Sequence, residues 1–215
     1  MTLAPKRAFV PAAGLGTRMR HLTAASPKPL IEVAGRSLLD RVLDRLALAG
    51  VTNAVVNVHY MADQIEAALS NRTTPSITIS DERTALLDTG GGVTQALPDL
   101  GPDPFLIHNS DSIWIETGPH TALSKLFQAW DHTTMDCLML LADRSTSLGY
   151  DGNGDFTMRP DGRLTRRAAK SSAPYVFTGV SINHPRMFVD LPSGAFSLNL
   201  VWDRAIEAGR LFGTV

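Results

Sequence analysis

Short apolar runs and helix-spaced apolar residues take turns from Ala8 to Leu141, and this alternation narrows the folds open to the chain. Ala8-Phe9-Val10 reads as a buried strand ending at Pro11. Leu39, Val42, Leu43 and Leu46 follow the i, i+3, i+4, i+7 spacing of an amphipathic helix, closed by Gly50. Ala54 to Val58, Ile77 with Ile79, Phe105 to Ile107 and Leu138 to Leu141 give further strands. Ile65, Ala68 and Leu69 mark a short helix, and Leu123, Leu126, Phe127 and Trp130 another. Strand alternating with helix predicts an α/β fold, a mostly parallel mixed sheet between two helical layers. Such Rossmann-like sheets bind ligands beyond the carboxyl ends of their strands. The loops after Val10, Ile79 and Ile107 are therefore where a site is expected.

After Ser147 the texture changes. Phe156 to Met158 and Leu164 are expected to pair as a hairpin across Arg159-Pro160-Asp161-Gly162. Tyr175 to Ile182 reads as a strand, and Leu198, Val201, Trp202 and Ala205 as a helix ending at Gly209. An αβ unit that stops at Val215, just after Leu211-Phe212, reads as interrupted. The expectation is a single domain over residues 1–215, truncated at its C-terminus, with no internal repeat or linker.

Composition sets the bounds on partners. With 215 residues and 44% hydrophobic content the chain can bury a large core. Its formal net charge of -1 lacks the basic excess of a nucleic-acid or membrane-surface binder. The short basic group Arg163, Arg166, Arg167 and Lys170 suits at most a small anion. The lone Cys137 sits in an apolar run and reads as buried. Met1 to Arg7 is too short and polar for a signal peptide, and no apolar run approaches the ~18 residues of a membrane helix. A soluble cytoplasmic protein is expected.

The first strand runs into Ala12-Ala13-Gly14-Leu15-Gly16-Thr17-Arg18-Met19-Arg20. Glycines let backbone N–H groups approach an anion, and Arg18 and Arg20 add charge beside them. In Ser26-Pro27-Lys28-Pro29-Leu30 two prolines fix the backbone around Lys28, which favours a defined meeting with phosphate. An ATPase P-loop is excluded, because no Gly-Lys-Ser/Thr ends the glycine run. A dinucleotide fingerprint needs a small residue where Met19 stands, and Arg18 would crowd the pyrophosphate. A plain glycine turn with solvated arginines is the remaining alternative.

The string Ala-Ala-Gly-x-Gly-Thr-Arg-Met, followed by Pro-Lys-Pro-Leu, closely resembles the sugar-1-phosphate nucleotidyltransferases. The resemblance implies the nucleotide-diphospho-sugar transferase fold. It also implies nucleotide contacts from Ala12, Ala13, Gly14, Gly16, Thr17, Arg18 and Lys28. Pro11 departs from the apolar residue usual there. Asp88-Thr89-Gly90-Gly91-Gly92 is expected as a loop beside a helix start that closes over the base through Thr89, Gly90 and Gly91. The version found here resembles the N-acetylmuramate-1-phosphate uridylyltransferase subgroup, with Asp88 on a ribose or sugar hydroxyl.

His108-Asn109-Ser110-Asp111-Ser112 follows the fourth strand, and a carboxylate just past a strand end is a natural Mg²⁺ ligand. The resemblance places Asp111 on that metal and Asn109 beside the sugar phosphate, with Ser110 where glycine is commoner. It further implies that Asp155, Lys170, Thr178 and Gly179 line the sugar side. The usual Glu-Lys-Pro around such a lysine is absent, so Arg166 or Arg167 is the alternative to Lys170. Phe196-Ser197-Leu198 fits the same subgroup. The family's second metal-binding Asp, in Trp-x-Asp-x-Gly-Thr, has no match before Val215. The six histidines show no paired metal spacing.

The expected reaction joins UTP and a sugar-1-phosphate, forms a UDP-sugar such as UDP-N-acetylmuramate for cell-wall recycling, and releases pyrophosphate. Arg18, Lys28 and Mg²⁺ on Asp111 would supply positioning and charge neutralisation. The alternatives are a guanylyl-, cytidylyl- or thymidylyltransferase, a non-catalytic nucleotide sensor, and a more distant Rossmann dehydrogenase. Oligomeric state is not legible.

Overall fold

The computed structural model describes residues 4–17, 19, 23–116 and 118–215. In chain order the strands and helices are β1 (Arg7–Pro11), β2 (Glu32–Val33), β3 (Arg36–Ser37), α1 (Leu38–Leu48), β4 (Asn53–Val58), α2 (Ala62–Leu69) and β5 (Ser76–Asp81). They continue with α3 (Asp88–Leu100), β6 (Phe105–His108), α4 (Ala122–Ala129), β7 (Cys137–Asp143), β8 (Phe156–Met158), β9 (Leu164–Arg166), β10 (Tyr175–Asn183), α5 (Leu198–Glu207) and β11 (Leu211–Thr214).

The main sheet has the order β11-β7-β10-β6-β1-β4-β5. β1 pairs in parallel with both β4 and β6, β4 with β5, and β11 with β7. β10 runs antiparallel to β6 and β7, which makes the sheet mixed. β8 and β9 form the expected hairpin at its margin, joined to β10 through Phe156 and Tyr175. Near the end of the sequence, Leu211–Thr214 adds a parallel strand beside β7.

Strand side chains alternate between two cores, as period-2 geometry requires. Ala8, Val10, Ala54, Val56 and Leu106 face α1, α2 and α4, with Leu39, Leu43, Ile65 and Leu126 in the same cluster. Phe9, Val55, Phe105 and Ile107 face α3 and α5, where Val93, Leu100, Val201 and Ala205 pack. Each fully buried Leu or Val here contributes about 1.5–3 kcal/mol of transfer energy. The result is three layers, helix on sheet on helix. Cys137 lies wholly inside the second core, and burial pushes its thiol pKa up.

The chain reverses its direction of strand addition at β1, with β4 and β5 on one side and β6 on the other. The crevice at such a switch point lies outside the carboxyl ends of the flanking strands.

Candidate active site

A cavity of about 370 Å³ opens at that crevice. The segment after β1 gives it Ala12, Ala13, Gly14, Gly16, Thr17, Met19 and Lys28. Asn57 of β4 joins them, followed by Glu82, Leu86, Asp88 and Thr89 beyond β5 and by Asn109, Ser110 and Asp111 beyond β6.

Lys28 begins a 3-10 turn over Lys28–Leu30, entered from an extended Pro27 and seated by the buried Pro29. Its ammonium forms an ion pair with the Asp111 carboxylate across the crevice. The two side chains are 34% and 37% exposed, and an ion pair this wet is worth about 0–1 kcal/mol. A phosphate or a cation can therefore replace either partner at little cost. Arg18, expected beside Lys28, lies outside the described residues. Gly16 has φ +63°, and its carbonyl accepts the Thr23 hydroxyl at 3.1 Å.

The turn that carries Asp111 is tied on every side. Asn109 N–H donates to the Gly179 carbonyl at 2.8 Å. The Ser110 hydroxyl donates to Pro11 O at 2.6 Å, and the Ser112 hydroxyl to Thr178 O at 2.6 Å. The register of β10 against β7 shifts between Phe177 and Ser181, and Gly179 sits in that bulge at φ +83°. A Cβ there would lie 2.5 Å from the Ser112 hydroxyl and 2.7 Å from Asn109 Nδ2, so only glycine lets the strand approach. Asn109, Thr178 and Gly179 are thus brought together beside Asp111.

His108 is fully buried behind this turn. Burial lowers its pKa to about 4; a hydrogen bond to Asn109 O opposes the shift and Arg45 adds to it. The ring is therefore neutral near pH 7, and Nδ1–H donates to Asn109 O at 2.9 Å. Trp114 stacks on the imidazole at 5.4 Å, and the Arg45 guanidinium lies 3.7 Å from the Trp114 ring centre.

On the wall that β4 and the segment after β5 supply, Glu82 is 1% exposed and Asn57 is 4% exposed. Asn57 Oδ1 accepts the Ala12 and Ala13 N–H groups at 2.7 and 3.3 Å. Asn57 Nδ2 donates to Glu82 Oε1 at 2.7 Å, and Leu87 N–H donates to Glu82 Oε2 at 3.0 Å. Gly90 and Gly91, expected on a loop over the base, instead form the first turn of α3. Their N–H groups donate to Phe196 O at 2.8 and 3.2 Å, which satisfies two otherwise orphaned helix donors. A Cβ at Gly90 would strike the Phe196 ring, and one at Gly91 the Gly194 carbonyl. The Thr89 hydroxyl accepts Leu198 N–H at 3.0 Å, while Asp88 and Thr89 still reach the cavity wall.

Of the residues expected on the sugar side, Asp155, Lys170, Thr178 and Gly179 do not line this cavity, although the last two touch the Asp111 turn. The Asp155 carboxylate accepts Phe177 N–H at 2.9 Å and so braces β10. Lys170 is exposed in the loop after β9, at φ +62°. Arg166 is paired with Asp203, and Arg167 Nε donates to Gly154 O at 2.9 Å.

Sequence reasoning missed Asn57, Glu82 and His108. Asn57 carried a readable signal, a polar residue inside the apolar run Ala54 to Val58. Glu82 carried none, because Ser80-Asp81-Glu82-Arg83 looks like any solvated turn.

Among the described residues no group of three or more His, Cys, Asp or Glu could hold a metal ion. Mg²⁺ usually keeps several waters and takes one or two carboxylates plus substrate phosphates. Asp111, on the cavity wall and paired among the described residues with the half-buried Lys28, fits that sparse donor set. No described helix is long and apolar enough to cross a membrane.

Residues 8–148 match the family model of the MobA-like NTP transferase domain. The chain is 48% identical to the N-acetylmuramate alpha-1-phosphate uridylyltransferase of Caulobacter vibrioides, over 99% of this chain and 89% of that protein. It is 34% identical to the enzyme of the same name from Neisseria meningitidis serogroup B, over 88% of this chain and 80% of that one. Its fold is similar to the inositol-1-phosphate CTP transferase of T. maritima, with a TM-score of 0.77 at 19% identity, covering 99% and 87% of the two chains. Likeness at that last identity speaks for the fold alone, but the first two relatives align over most of this chain at 48% and 34% identity. The chain therefore belongs to the family of N-acetylmuramate alpha-1-phosphate uridylyltransferases, within the MobA-like NTP transferases.

Proposed function

We propose that this chain transfers a uridylyl group from UTP to N-acetylmuramate α-1-phosphate, releasing pyrophosphate. The observation that carries the reading is the meeting of Lys28 and Asp111 across the switch-point cavity, beside the glycine segment. The names of the two relatives support the base and the sugar.

An oxygen of the sugar-1-phosphate forms a bond to the α-phosphorus. The bond from that phosphorus to the oxygen bridging it to the β-phosphorus breaks in line, and that oxygen leaves with the pyrophosphate. The attacking oxygen is already ionised, so no protein nucleophile or general base is needed. Lys28 is proposed to leave its ion pair and hold phosphate oxygens, with Arg18 neutralising the leaving group. Mg²⁺ on Asp111, when bound, would offset charge on the transferring group. Asn109 and the Thr178-Gly179 bulge are proposed to border the acceptor sugar. A cytoplasmic place in the recycling of cell-wall sugars follows from that acceptor.

The test is pyrophosphate release across UTP, CTP, GTP and dTTP, each with a panel of sugar-1-phosphates, with Mg²⁺ present and then chelated. UTP with N-acetylmuramate α-1-phosphate should lead by about tenfold or more in kcat/KM. Chelation should abolish release. Lys28→Ala should lower kcat about a hundredfold while changing nucleotide affinity much less. Tight UTP binding without pyrophosphate release would make the chain a sensor instead, and preference for another pair would replace the substrate assignment.

A further inference from the structure

We infer that Asn57 and Glu82 are a buried positioning pair that sets the nucleotide side of the cavity before any nucleotide arrives. The inference rests on the transfer reaction proposed above and concerns residues with no part in its chemistry.

The pair links three segments that are distant in sequence. Asn57 holds Ala12 and Ala13 at the start of the glycine segment through their N–H groups. Glu82 holds Leu87, at the entrance of α3, through its N–H. The bond from Asn57 Nδ2 to Glu82 Oε1 joins the two ends. Both side chains also appear on the cavity wall, so the pair lies directly beneath the space a nucleotide would fill. His59 Nδ1 adds a 2.7 Å contact to the Glu82 carbonyl, so that residue's main chain is held as well.

A buried carboxylate is costly unless its oxygens are matched by donors. Glu82 has one donor on each oxygen, from Asn57 and from Leu87. Gly92 makes room for this arrangement: a Cβ there would lie 2.7 Å from Glu82 Oε1 and 3.0 Å from Asn57 Nδ2. The third glycine of the triplet thus has a use unlike that of the first two, which face Phe196 and Gly194. Pre-set loops lower the ordering cost of binding, so loss of the pair should weaken nucleotide capture more than sugar capture.

The polarity of the pair can be exchanged. In the double variant Asn57→Asp/Glu82→Gln, the carboxylate placed on β4 could accept from the Ala12 and Ala13 N–H groups and from the new amide. The oxygen of that amide accepts from Leu87. Every hydrogen bond is then restored in nearly the same volume. Either single change leaves a mismatch, two donors facing in Glu82→Gln or two carboxylates facing in Asn57→Asp.

Initial rates of pyrophosphate release are measured for the wild type, both single variants and the double variant, with thermal unfolding in parallel. Each single variant should raise the KM for UTP about tenfold, leave the KM for the sugar-1-phosphate within about twofold, and be rescued in the double variant to within about threefold. Equal rises in both KM values, unchanged KM values with lowered stability alone, or no rescue would each overturn the inference. A wild type that releases no pyrophosphate would sink the proposed reaction, whereas wild-type turnover with unaltered single variants would sink only the positioning pair. Should a single variant fail to fold, amide exchange in the unliganded wild type decides. The Ala12, Ala13 and Leu87 amides should exchange as slowly as those of Val55 and Val56, and exchange at open-loop rates would overturn the pair.

Discussion

His108 shows how one residue can link the pH response of the fold to the turn that bears Asp111. Its pKa is lowered to about 4 by burial, from an ordinary value of 6.5. The unfolded chain therefore binds a proton between those values that the folded chain refuses. Stability is full above about pH 6.5 and declines as pH falls toward 4, by up to about 3 kcal/mol. Arg45 opposes protonation and Asp111 favours it, so the buried environment sets the sign. His108→Phe keeps an aromatic ring against Trp114 and removes the titration. Urea unfolding at pH 7 and pH 4.5 should show a smaller loss for the variant than for the wild type. Equal losses would mean that His108 is solvated or charged in the fold. Nothing in His108-Asn109-Ser110-Asp111 distinguishes the buried histidine from the cavity-facing aspartate, because burial is a property of the assembled sheet. Lys28 and Asp111 were legible because loop chemistry and strand ends mark them locally, whereas Glu82 depends on Asn57, 25 residues away in sequence.

At the scale of elements, spacing alone located most helices and strands. The caps agree with it: the Ser37, Thr121 and Ser197 side chains accept the N–H groups of Asp40, Ser124 and Asn199 at the starts of α1, α4 and α5. The start of α3 was not legible. Three successive glycines cost about 1 kcal/mol each in a helix, so local propensity favours a loop. Packing against Phe196, Gly194 and Glu82 overrides that preference. The bulge in β10 was equally hidden, although Thr178-Gly179 itself stands out in the chain. Gly179→Ala should destabilise the fold by about 1–2 kcal/mol from the left-handed backbone alone. It should also displace Asn109 and Ser112, so turnover should fall as well. Urea midpoints and pyrophosphate release measured on one preparation test both effects. Wild-type values for both would show that the bulge relaxes without moving the turn.

For the molecule as a whole, the two cores follow from strands that are apolar on both faces, a pattern readable without coordinates. The direction of β10 was not readable, because side-chain alternation is the same for parallel and antiparallel strands. A nucleotide that bridges loops from four strands should stabilise the entire domain. At a hundred times its Kd, UTP should contribute about 2.7 kcal/mol and raise Tm by about 5–10 °C. An unshifted melting curve at saturating UTP would show that the cavity does not hold the triphosphate. The seat of β10 between β6 and β7 also governs how the chain can be assembled on the ribosome. β6 and β7 emerge long before the strand that separates them, so they cannot dock while residues 175–183 are still unsynthesised. Until then the nascent sheet ends at β6, with an unpaired, apolar edge open to sticky encounters. Translation speed across that stretch, and any chaperone that shields it, would then bear on the yield of folded enzyme more than events at either terminus.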